Sequence, residues 1–153
     1  MKIKKIIVIG IIMGFISCNA QHDKVRIIND FFDHTIMNPS SDTDEMEAFL
    51  KIDKDSLQAH TKTYQLIQFN TQFLRNEINS RKDKVDILPY IEFKNKKAFT
   101  NYEVIYENKE EVYCIVQGEH FITPVIINEN NKILAFFTGI VKNKNRIIPY
   151  ILE

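Results

Sequence analysis

The hydrophobic pattern of this chain changes period near residue 82, and that change restricts the fold more than any other feature. Before it, apolar side chains recur every three or four positions. Ile28, Phe31, Phe32 and Ile36 share one helical face. Leu57, Tyr64, Ile67, Leu74 and Ile78 form a second, longer stripe, which Leu66, Phe69 and Phe73 are expected to widen. After it come short β-rich runs: Val85 to Phe93, Tyr102 to Tyr106, Val112 to Gln117, Phe121 to Ile127, Ile133 to Thr138 and Arg146 to Leu152. The turns between them, such as Glu107-Asn108-Lys109-Glu110 and Gly118-Glu119, are too short for parallel crossovers and suit an antiparallel meander. Helices first and strands afterwards is the order of an α+β domain. The expectation is a set of N-terminal helices, one of them long, packed on a C-terminal curved antiparallel sheet.

Local signals mark the boundaries. The first helix should run from Asp23 to Met37, because the proline of Asn38-Pro39 disfavours the α region in the residue before it. Asp42 and Glu45 have capping-box spacing for a short helix carrying Met46, Phe49 and Leu50. The long helical pattern extends from Ser56 to about Arg81. Pro124 and Pro149 cannot donate to a ladder and belong at edges or bulges. Helices packed into a curved antiparallel sheet resemble the NTF2-like cone, a likeness of architecture that implies a cone-shaped pocket.

The first residues read as an export signal. Lys2, Lys4 and Lys5 precede an uncharged run, Ile6 to Ile16, and Ser17-Cys18 closes it. That run is much shorter than the roughly 20 apolar residues a spanning helix needs. Phe15-Ile16-Ser17-Cys18 resembles the lipobox of bacterial lipoproteins, although that family usually has Leu or another aliphatic at Phe15 and a small residue at Ile16. The resemblance implies a diacylglyceryl thioether on Cys18 and an acylated amino group, hence an anchor in a cell-envelope membrane, an outer membrane first, with the domain on its periplasmic or surface side. A rival reading is ordinary cleavage after Ala20, where Cys18-Asn19-Ala20 makes an A-x-A-like site and the cysteine is discarded. The apolar core ends against Ser17-Cys18, which favours lipidation. The chain then divides into a signal peptide (1–17), a lipidated cysteine with a short polar tether (18–24), and one α+β domain (25–153).

Loss of three leader lysines leaves 17 basic against 20 acidic residues, a net charge near −3. That is too mild and too mixed in sign for a nucleic-acid partner. Only Gly118 and Gly139 follow the leader, so phosphate-cradling loops and dinucleotide fingerprints, which need several glycines, are excluded. The histidines are His22, His34, His60 and His120. Asp30 and His34 stand four apart on the first helix as an expected exposed pair, and two ligands make no metal site. Cys114 lies in an apolar run and reads as a small buried hydrophobe. Glu119 and His120 follow Gly118 at a turn and are the candidates for a pocket, should the sheet enclose one.

No catalytic residue, cofactor or metal is expected. The reading is a membrane-anchored lipoprotein whose domain acts without catalysis as a binding, inhibitor/immunity or accessory protein, with an envelope protein as partner. The alternative is a small envelope enzyme or an apolar-ligand binder using a cone-shaped pocket.

Overall fold

The run Val112 to Gln117 explains how the domain is layered. All six of its residues are buried, so neither side of this strand faces water. A continuous apolar strand of that kind belongs between two covering layers. The computed structural model describes residues 21–38, 43–58, 61–142 and 145–152. Cys18, the rest of the leader, Asp42 and His60 lie outside the described residues.

Helix α1 covers residues 21–31 and widens into a π turn, Phe32–Ile36. The helix begins two residues before the expected start at Asp23, taking up the end of the tether. Helix α2 is Thr43–Phe49, a 3-10 turn spans Lys54–Leu57, and the long helix α3 is Lys62–Asn79. Helix α3 starts later than the hydrophobic pattern suggests because Thr61 caps it, its Oγ1 accepting from Tyr64 N at 3.1 Å. Arg75 Nε donates to Ile36 O at 2.6 Å and ties the end of the π turn to α3. Among the described residues, no helix is long and apolar enough to cross a membrane.

Strands β1 (Val85–Pro89), β3 (Val112–Gln117), β4 (His120–Ile127) and β5 (Ile133–Ala135) form one antiparallel sheet in the order β1-β3-β4-β5. Gly118 turns the β3–β4 hairpin at φ +61, a conformation costly to side-chained residues, and a Cβ there would meet Asp83 Oδ2 at 2.9 Å. A second sheet holds β2 (Glu103–Val104), β7 (Arg146–Pro149) and β6 (Thr138–Lys142), with β2 parallel to β7. The strand region therefore makes two sheets instead of one meander.

One face of the four-stranded sheet meets the helices: Tyr113, Ile115 and Val125 pack with Phe31, Ile67 and Phe136. The other face, through Val112, Cys114 and Val116, packs with Phe93, Phe99 and Val104. Phe93 and Phe99 are stacked at 4.8 Å between ring centroids, and Tyr102 closes on both edge-on at 6.2 Å. The α+β order read from the sequence is the order observed, with both sheet faces covered.

Three local readings change. The run from Val85 to Phe93 is not one strand, since Pro89 ends β1 and caps helix α4 (Tyr90–Asn95). Phe69 and Phe73 do not widen the buried stripe of α3 but stand 67% and 56% exposed. At 3.6 residues per turn they sit roughly 170° and 130° from the middle of the buried stripe Ile67, Thr71, Leu74 and Ile78. The prolines obey the edge rule in a local form. On β4, strand β5 pairs with Ile126 and Ile127 and stops there, so Pro124 has no ladder partner on that side. Strand β2 pairs only with Arg146 and Ile147, which leaves Pro149 equally free.

Candidate functional site

Where α1, α4 and the turn before β3 meet, three distant pieces of chain enclose a groove of about 380 Å³. That lies within the range of ligand pockets, about 300–1,000 Å³. Each wall has a local cause. Pro89, with φ −55, redirects the chain out of β1 and presents Tyr90, Ile91 and Glu92 on the first turn of α4. Asn108 Oδ1 accepts from Glu110 N at 3.2 Å and folds the 3-10 turn Lys109–Glu111, which brings Lys109 and Glu110 to the rim. Gln21 and Lys24 of α1 form the third wall, and Tyr113 of β3, paired with Pro89, lines the base.

The side chains of the groove differ in how far they are satisfied. Lys109 Nζ donates to Val104 O and lies 5.0 Å from the centre of the Tyr90 ring. Lys24 Nζ makes a long contact, 3.5 Å, to Ile127 O. The Tyr113 ring is buried, and its hydroxyl, which makes no hydrogen bond among the described residues, reaches the groove. Burial, and then the nearby Glu92 carboxylate, push the Tyr113 phenol up to about 12, so it remains a protonated donor at any physiological pH. Tyr90 is shifted the same way, by burial first and then by Glu103 and Cys114, against a hydrogen bond with the Val104 backbone. No ion pair joins Lys24 or Lys109 to Glu92 or Glu110, although all four line one groove.

The residues singled out in the sequence lie elsewhere. Glu119 and His120 stand exposed at the β3–β4 turn and do not line the groove. Asp30 and His34 are exposed on α1 and its π turn. Cys114 is buried and unpaired, and burial raises its thiol far above the ordinary range, leaving it without nucleophilic thiolate. Tyr102, Val104 and Tyr106, from one of the β-rich runs, all pack into the second core. Among the described residues, no group of three His, Cys, Asp or Glu is placed to hold a metal.

A second surface is the outer side of α3. Phe69 and Phe73 are one turn apart, and Thr63 to Leu74 contains no charged residue. Exposed Gln65, Gln72 and Asn76 flank the rings. Helical periodicity carries this signal, since an apolar residue opposite the buried stripe has no partner within its own domain. The groove left no comparable trace, because its walls come from residues 21–24, 89–92 and 109–113. No family model, no curated protein and no solved structure matches this chain.

Proposed function

We propose that this chain is a lipid-anchored protein of a bacterial cell envelope whose domain binds a protein partner without catalysing a reaction. Cys18 at the end of the apolar leader supplies the anchor, and three acyl chains would hold the domain firmly at a bilayer, since two already suffice. The observation that carries the binding role is the outer face of α3, where Phe69 and Phe73 are exposed on an uncharged surface. Adjacent exposed rings with an uncharged polar rim favour association. The absence of charge selects a partner with an apolar, weakly charged cleft over an acidic or basic one. An inhibitor or immunity role and an accessory role in an envelope assembly both use such a contact.

The test is photocrosslinking in the native cells. A photoreactive residue at Gln72, beside the two rings, should trap one protein, and Phe69→Gln with Phe73→Gln should abolish the adduct. A face that traps nothing, or an adduct indifferent to the double substitution, refutes the binding role. Mass spectrometry of the amino terminus tests the anchor separately: a first residue Gln21 without lipid removes it.

A further inference from the structure

We propose that the groove between α1, α4 and the turn before β3 binds a zwitterionic phospholipid headgroup of the phosphoethanolamine class. Three observations converge on it. The first is Tyr113, whose ring is buried while its hydroxyl, bonded to no described residue, opens into the groove as an uncommitted donor. A protonated phenol donates well to a phosphate oxygen.

The second is the balance of charge. Lys24 and Lys109 offer ammonium groups, and Glu92 and Glu110 offer carboxylates, with no ion pair among the four. A ligand of one sign would face repulsion from half of these groups. A ligand with both a phosphate and an ammonium satisfies both halves, and the carboxylates discriminate against a purely anionic headgroup.

The third is position, and here the inference rests on the anchoring reading. Gln21 and Lys24 are wall residues, and Gln21 follows Cys18 by three positions. Three residues span at most about 11 Å. An acylated Cys18 would therefore hold the groove at the headgroup layer. Ile91, 70% exposed at the groove, is placed to enter the interface. A net charge near −3 after loss of the leader provides no general attraction to anionic lipid, so recognition has to be local.

The protein is isolated from its envelope with its own amino terminus, in non-ionic detergent, and titrated by ligand-observed NMR. Glycerophosphoethanolamine should bind saturably, with inorganic phosphate, ethanolamine and glycerophosphoglycerol each weaker by about tenfold or more. Tyr113→Phe keeps the ring and removes only the hydroxyl. It should weaken binding about tenfold, the loss of one hydrogen bond to a charged group, with the melting temperature at neutral pH unchanged. Lys24→Met should weaken binding likewise. In a membrane arm, Ile91→Cys carries an environment-sensitive dye. Its emission should shift further in phosphatidylethanolamine vesicles than in phosphatidylglycerol vesicles, and Tyr113→Phe should cancel the difference. Equal binding of free phosphate, no preference between the vesicles, or an unaffected Tyr113→Phe variant overturns the proposal. Soluble headgroup binding by a protein whose terminus bears no lipid would sink the anchor and leave the groove. A lipidated protein that ignores the headgroup would do the reverse.

Discussion

Helix α3 has two apolar faces, and substitution on each should produce opposite ratios of stability loss to binding loss. Full burial of a phenylalanine contributes about 1.5–3 kcal/mol. Phe69 is 67% exposed and Phe73 56%, so a third of one ring and under half of the other are removed from water. Each ring then stabilises the fold by about 1 kcal/mol. Glutamine returns a few tenths of a kcal/mol through better helix propensity. The double variant Phe69→Gln, Phe73→Gln should lose no more than about 1–2 kcal/mol. Leu74 lies on the inner stripe at 3% exposure, and Leu74→Ala should cost about 2–5 kcal/mol through transfer and cavity terms. Urea unfolding followed by far-ultraviolet circular dichroism measures both, with the m value expected unchanged. The partner adduct should disappear in the double variant and persist in Leu74→Ala wherever that variant is folded. A double variant that loses as much stability as Leu74→Ala would mean that the outer rings are structural, and the argument for a partner surface would fail.

Other perturbations test the architecture. Thr61→Ala removes the cap of α3 and the hydroxyl donated to Ser56 O at 2.6 Å, and should cost about 1–2 kcal/mol in the same unfolding assay. Cys114 should resist thiol reagents at pH 8 in the folded protein and react at once in denaturant; rapid native labelling would contradict its burial. Stability should fall at alkaline pH. Folded Tyr113 keeps its proton up to about 12, whereas the unfolded chain releases it near 10, so its contribution is complete below pH 10 and disappears between 10 and 12. Tyr90 and Tyr106, both raised, act in the same direction, so Tyr113→Phe should flatten only part of the decline in urea midpoint. Raising salt should weaken headgroup binding severalfold and leave crosslinking at α3 unchanged, since only the groove is charged.

The gross order of the fold was legible because period alone separates a helical stripe from a strand. Ile67, Leu74 and Ile78 fall on one side of a helix whatever surrounds them. The boundaries were less legible, since they depend on single residues with competing roles. Pro89 ends a strand and caps a helix within one apolar run, and that run reads as continuous strand until its geometry is known. Phe69 and Phe73 depart from expectation for a related reason. Hydrophobicity suggested burial, whereas their angle from the stripe put them outside. The turn at Gly118, Glu119 and His120 was legible as a turn, and nothing in its sequence could show that it lies away from the groove.

The placement of both surfaces follows from the double covering of the main sheet. Alternate residues of β3 are used on opposite sides: Tyr113 and Ile115 toward the helices, Val112, Cys114 and Val116 toward the second layer. Phe31, Phe136 and Ile67 occupy the helix side, so the face on which the cone likeness implied a pocket is filled with side chains. Binding is then confined to the seams between layers and to the outer surface. Tyr113 lies at such a seam, with its ring in the helix-side core and its hydroxyl unpartnered at the base of the groove. Its ring is held by packing, whereas its oxygen opens into the groove and is available to a ligand. Exchange for phenylalanine at neutral pH separates the two, because the packing is retained and only the ligand's hydrogen bond is lost.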